Sequence, residues 1–184
     1  MNIENIFDEI DGESKELTEE IMVKFQNEWN LPLSDSELSD FKKNDTKPSY
    51  WNDKTYGKWK LKNFENWTFP KSNFPKEFIE LIKIYSGCAF MKGEREFSIF
   101  GPDQLREMNL AYELPEYMKG GVSIGLDGAG NHIIIDMRSE KNNNGYKVYG
   151  AHSSNLEWEG AKLIANNFLE FMKGTQNIDE IVNG

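Results

Sequence analysis

Between Val122 and Arg138 two apolar runs flank Gly125-Leu-Asp-Gly-Ala-Gly130, and this stretch restricts the possible folds more than any other. Its three glycines permit left-handed backbone and close approach of another chain, which suits a phosphate cradle and a tight β-hairpin equally well. The flanks decide. A phosphate loop needs a Lys-Ser/Thr pair after its last glycine and then a helix, whereas Asn131-His132 and the β-type run Ile133-Ile-Ile135 follow here. The dinucleotide fingerprint fails in the same way: the spacing is G-x-x-G-x-G, no helix follows to receive a pyrophosphate, and Asp127 would repel it. A hairpin is expected, with Val122, Ile124 and Leu126 alternating on one strand and Ile133, Ile135 and Met137 on the next.

The surrounding elements extend that hairpin into a sheet. Arg95 to Phe100 alternates as a strand, Asn142-Asn-Asn-Gly145 signals a turn, and Tyr146 to Gly150 reads as the next antiparallel strand. Helical spacing is expected over residues 14–29 through Leu17, Ile21, Phe25 and Trp29, and after Pro75 through Phe78, Leu81, Ile82 and Tyr85. A helix carrying Leu105, Met108 and Tyr112 follows Gly101-Pro102-Asp103 and closes at Leu114-Pro115. Another carries Trp158, Ala161, Ala165, Phe168 and Met172 until Gly174. Ser34-Asp-Ser-Glu37 has the capping-box pattern for a short helix through Phe41. In residues 42–73 Trp59, Leu61 and Phe64 read as an inward-packing strand or hairpin, with Lys58, Lys60 and Lys62 facing water. The whole predicts an α+β fold: an antiparallel sheet of four to six strands with helices before and after it.

Charge narrows the partners. Residues 1–40 hold twelve carboxylates against Lys15 and Lys24, which accounts for the entire formal charge of −10. Phosphate neutralisation needs a basic surface, so nucleic acid is not an expected ligand and a basic protein partner is. No apolar run approaches the roughly 20 residues that span a bilayer, and the N-terminus lacks a basic segment followed by an apolar one. A cytoplasmic protein without membrane contact is expected. The single cysteine, Cys88, cannot form an intrachain disulfide and reads as a small core residue beside Ala89 and Phe90.

Reactive constellations are sparse. His132 and His152 are the only histidines, too few for a usual zinc set with one cysteine, and Asp127, Asn131 and Asp136 lack calcium-loop spacing. His132, Asp136 and Arg138 share a strand face, where a salt-bridge cluster is favoured over a catalytic dyad. No serine lies in a nucleophile elbow. No catalytic, cofactor-binding or metal-ligating residue is expected.

An ordered series of motifs adds what spacing cannot. It runs from Asn73-Phe-Pro-Lys-Glu-Phe-Ile-Glu-Leu-Ile82 and Ser86-Gly87 through Arg95-Glu-Phe-Ser-Ile-Phe100 and Leu105-Arg-Glu-Met-Asn109 to Tyr112-Glu-Leu-Pro-Glu-Tyr117. It continues with Ile124-Gly-Leu-Asp-Gly-Ala-Gly130, Ile135-Asp-Met-Arg138, Asn155-Leu-Glu-Trp158 and Ile164-Ala-Asn-Asn-Phe-Leu-Glu-Phe171. The series resembles the SUKH superfamily, in particular the group related to a fungal regulator of cell-wall assembly and killer-toxin resistance. Ser86-Gly87 stands where that group usually has Asn-Gly, and Ala129 interrupts its usual Gly-Gly pair.

The resemblance implies a SUKH-like α+β domain over residues 73–174; it says little of residues 1–72, an acidic helix and aromatic-rich irregular segment expected to pack on that domain, and residues 175–184 are expected to form a short tail. It also implies a non-enzymatic immunity protein that neutralises a cognate toxin, of basic nuclease type. The alternative is an intracellular regulatory scaffold. Candidate partner contacts are Glu16, Glu19 and Glu20 on the acidic helix, Trp51 and Tyr56 in the aromatic segment, and Asp127 and Asn131 on the hairpin. The oligomeric state stays open.

Overall fold

The computed structural model describes residues 3–138 and 145–184, so the turn expected at Asn142–Asn144 lies outside the described residues. Strands are β1 (Glu9–Asp11), β2 (Ala89–Lys92), β3 (Arg95–Ile99), β4 (Gly121–Leu126), β5 (Asn131–Asp136), β6 (Val148–His152) and β7 (Lys162–Ala165). Helices are α1 (Glu19–Glu28), α2 (Asp35–Asn44), α3 (Asp53–Tyr56), α4 (Lys76–Ile84), α5 (Leu105–Ala111), α6 (Leu114–Tyr117), α7 (Phe168–Lys173) and α8 (Ile178–Asn183), with single 3-10 turns at Ile3–Asn5 and Phe64–Asn66. Two compact units result, one from residues 1–30 and 69–184 and one from residues 31–68.

The larger unit is α+β and holds a fully antiparallel sheet in chain order, β1 to β7. Seven strands exceed the four to six expected. β1 and β2 were missed because Glu9-Ile-Asp11 and Ala89-Phe-Met-Lys92 are too short to show alternation, and β7 because Ala161, Ala165 and Phe168 mimic a helical stripe. The expected long helix after Ser154 is instead β7 followed by α7, which Asn167 caps by accepting from the Glu170 amide. Residues after Gly174, read from sequence as a tail, form α8.

Two helix boundaries also moved. Thr18 caps α1 by accepting from the Ile21 amide, so the helix starts later and buries Met22, Phe25 and Trp29, leaving Ile21 43% exposed. Tyr112 ends α5, Glu113 takes a left-handed φ of 56°, and Pro115 sits in the first turn of α6 rather than closing α5. The capping box of Ser34 and Glu37 forms as expected and opens α2.

Cross-strand register places Ile99, Gly125, Ile133 and Gly150 in one row. A Cβ on Gly150 would meet Val182, so α8 covers that face. On the same face Phe97 meets Phe171 of α7, and Phe168 meets Phe78 of α4. Arg95 is buried there; its guanidinium lies 5.2 Å over the Phe171 ring and donates to the carbonyls of Phe171 (2.6 Å) and Gln176 (3.1 Å), tethering the C-terminal segment to β3. The opposite face packs Ile134 and Ala151 against Leu114, Met118 and Leu156. β5 is thus buried on both sides, which is why its core reads as continuous Ile133-Ile-Ile135.

The smaller unit is built around aromatics. Phe41 of α2 packs on Phe64 and Trp67, and the Lys62 amide donates to Asp45. The expected inward strand at 59–64 does not form: Phe64 is buried in a 3-10 turn, but Leu61 is 72% exposed. With one short apolar step between charged residues, there is no second strand for it to pair with.

Candidate functional site

The glycine turn is closed by its own aspartate. Asp127 Oδ1 accepts from the amides of Ala129 (3.0 Å) and Asn131 (2.7 Å), and Oδ2 from the Asn131 side chain (2.7 Å). The amide donors that a phosphate would need are therefore consumed. Gly130 has the left-handed φ of 90° that the turn requires. Asn131 is fully buried; its side chain also donates to Asp179 of α8 (2.9 Å) and accepts from Asn183 (3.3 Å). Hydrogen bonds from Asn131 and Asn183 hold the Asp179 carboxyl below the usual carboxylate range. Asn131, expected at a partner surface, instead locks the hairpin to α8, and Asp127 is half-buried beside it.

The strand-face cluster separates into two parts. Asp136 accepts two bonds from the Arg138 guanidinium (2.9 and 2.8 Å), and Arg138 stacks 3.6 Å over Trp158, an ion pair rather than a reactive dyad. His132 is elsewhere. It is fully buried, with Nδ1 2.8 Å from Ser123 Oγ and its ring 4.3 Å edge-on from Tyr112, while Nε2 has no partner among the described residues.

Burial pushes the His132 pKa down to about 4; Asp127 opposes that shift and His152 adds to it. A depressed folded pKa means that the unfolded chain binds the proton more readily between pH 6.5 and 4. Stability is therefore full above about pH 6.5 and falls as the pH drops toward 4, by up to about 3 kcal/mol. Urea titrations across that window should show this slope in the wild type and lose it in His132→Gln; an equal slope in both would contradict the assignment.

The acidic candidates are at the surface. Glu16, Glu19 and Glu20 are exposed, and Lys83 pairs with Glu19 (3.0 Å) and Glu16 (3.7 Å), which raises the lysine pKa. Glu20 has no such partner among the described residues. Glu19 and Glu20 occupy the first turn of α1, where carboxylates complement the helix dipole.

In the smaller unit Trp51 is half-buried and donates from Nε1 to the Gly57 carbonyl (2.9 Å), with its ring 5.2 Å from Tyr56 and 5.0 Å from Trp59. Tyr56 is 59% exposed. The structure therefore brings Trp51 and Tyr56 together, Glu16, Glu19 and Glu20 together, and Asp127 and Asn131 together. Cys88 is buried, and desolvation raises its thiol pKa, so it is not poised as a nucleophile.

Sequence reasoning missed Asn109. This buried side chain accepts from the Ser123 amide (2.8 Å) and donates to the Ser123 (2.7 Å) and Leu105 (2.8 Å) carbonyls. It takes the place of a neighbouring strand where β3 has ended. A polar residue within the otherwise helical Leu105–Tyr112 pattern was the available signal.

A fully antiparallel sheet in chain order, with helices over both faces and a closed Asp-Gly-Ala-Gly hairpin at its centre, defines an α+β scaffold of SUKH type. The model of the SMI1/KNR4 family (SUKH-1) matches residues 58–174, well over half of the chain, and the chain belongs to that family. No curated protein matches it. Among the described residues no helix is long and apolar enough to cross a membrane, and no three His, Cys, Asp or Glu side chains gather as a metal set.

Proposed function

We propose that this protein is a non-enzymatic immunity protein that binds a basic toxin domain stoichiometrically and occludes it. The observation that carries this reading is the segregated acidity: the entire net charge of −10 falls within residues 1–40, and Glu16, Glu19 and Glu20 stand exposed on and before α1. Such a field speeds encounter with a cationic partner and selects against acidic ones. The burial of His132 and the pairing of Asp136 with Arg138 support a role in binding over one in chemistry. Family membership supports a protein partner of the immunity or SMI1/KNR4 kind.

The test is expression of the chain beside the toxin-type gene adjacent to its own. Co-purification of the two products and rescue of growth are expected. Neutralising Glu16, Glu19 and Glu20 to Gln should slow association about tenfold at low salt, with a smaller effect at high salt. Stopped-flow rates that ignore both the substitutions and the salt would overturn the electrostatic reading. Capture of several host proteins without a toxin would support the regulatory scaffold instead.

A further inference from the structure

The sheet ends at β1, which pairs with β2 on one side and, among the described residues, with no strand on the other. Such an edge turns backbone N–H and C=O groups outward, ready to pair with a further extended chain. Register fixes what flanks it. Glu9, Met91 and Glu96 form one row across β1, β2 and β3, and Asp11, Ala89, Ser98 and Leu126 form the next. Further along this same face α5 and α6 cover the sheet, with Tyr112 on His132 and Leu114 and Met118 on Ile134. Over β1 to β3, by contrast, Glu9, Asp11, Met91, Glu96 and Ser98 are exposed, and none of the seven positions in the two rows holds a cation. On the opposite face Ile10, Phe90 and Phe97 form the intervening row, half-buried at Ile10 and closed by Phe7 and Phe171. The edge is therefore acidic on one side and apolar on the other.

We propose that β1 accepts, as a further strand, an extended segment of a protein partner in which basic and apolar residues alternate. Successive side chains of a strand point to opposite faces, so every second residue of such a segment falls beside Glu9, Asp11 and Glu96 and the others beside Ile10. Main-chain pairing supplies attraction whatever the sequence, and cross-strand charge pairs select the partner. A second copy of the chain does not fit this edge, because antiparallel pairing of β1 with itself sets carboxylate opposite carboxylate. The side chains of Glu9, Asp11 and Glu96 form no ion pair among the described residues, whereas Asp8 is already engaged by Lys92 (2.7 Å) and the Gly93 amide (2.7 Å). The source of the basic segment rests on the reading of the chain as a binder of basic proteins; the open edge and its two-sided character stand apart from it.

The experiment titrates the isotopically labelled full chain with the capped peptide acetyl-KVKVK-amide, with its permuted form acetyl-KKVVK-amide and with the acidic acetyl-EVEVE-amide. For the first, saturable amide shifts at Glu9–Asp11 and Ala89–Met91 are expected, together with slower hydrogen exchange within Glu9–Asp11, which charge attraction alone does not produce. The permuted peptide should bind about threefold more weakly or worse, and the acidic one should give no shift at β1. Replacing Glu9→Gln and Asp11→Asn together, both at exposed positions, should weaken acetyl-KVKVK-amide about threefold or more while the dispersed spectrum of the folded chain is kept. Equal binding of the alternating and permuted peptides, shifts confined to Glu16–Glu20 or to the other edge at Lys162–Ala165, or indifference to the double substitution would overturn the proposal. If the chain forms its complex with a toxin yet the peptide leaves β1 untouched, the edge assignment falls alone. If the peptide pairs with β1 but no basic protein binds, the functional reading falls and the edge assignment stands.

Discussion

Asn109→Leu is expected to cost about 4 kcal/mol, a large share of the stability of an ordinary domain. β3 pairs with β4 at Gly125 and Leu126, and the Phe100 amide still donates to the Ile124 carbonyl (2.8 Å), but at Ser123 the neighbouring edge of β4 has no strand. The Asn109 amide fills the gap by bonding both the N–H and the C=O of Ser123, as an antiparallel residue would. Leucine is of similar size but leaves both groups buried and unpaired, and each such loss costs roughly 1–3 kcal/mol. Asn109→Asp is a sharper variant. It keeps an acceptor for the Ser123 amide but sets a carboxylate oxygen against the Ser123 and Leu105 carbonyls, so its deficit should shrink as the acid is protonated. Urea denaturation measures both; a loss under about 1 kcal/mol for Asn109→Leu would show that the amide is not a strand surrogate.

Gly125→Ala is expected to be at least as damaging, about 3–5 kcal/mol, whereas Gly128→Ala should fall within about 0.5 kcal/mol of wild type. A Cβ at Gly125 would press directly on the Ser98 carbonyl oxygen and lie 3.1 Å from Ile99 Cα, and backbone atoms in the middle of a sheet cannot step aside. At Gly128 nothing lies within 4 Å of the same atom. The two substitutions are chemically identical and three residues apart, so thermal and denaturant midpoints separate close approach from turn flexibility. Similar losses at both positions would contradict this division of roles among the glycines.

The central sheet was legible because hydrophobic alternation and the glycine turn act over neighbouring residues. β3, β4, β5 and β6 all follow from that pattern, and the helix after Pro75 from its i, i+3, i+4, i+7 spacing. What escaped depends on distant partners. β1 is three residues long and exists only because Glu9–Asp11 meets Ala89–Met91. Lys162–Ala165 becomes a strand because β6 offers it an edge, although its apolar spacing continues into α7. The candidate site divides in the same way. Exposure of Glu16, Glu19 and Glu20 follows from composition, whereas the burial of Asn131 requires α8 to close over β5, which no local pattern announces.

The burial of His132 against Ser123, the tether of Arg95 and the network of Asn131 and Asp179 commit these polar side chains to the interior of the larger unit. Exposed groups include Glu20 on α1, Tyr56 in the smaller unit and Glu157 in the loop after β6. That distribution fits recognition of another protein, with the acidic segment setting the rate of encounter and individual side chains setting its specificity.

Calorimetric titration of the full chain into the purified product of the adjacent gene, assayed in parallel for toxin activity, tests this account most directly. One-to-one binding is predicted, with an affinity that falls as salt rises and with toxin activity lost in proportion to the complex formed. Absence of heat at micromolar concentrations, or toxin activity unchanged in a saturated mixture, would contradict it.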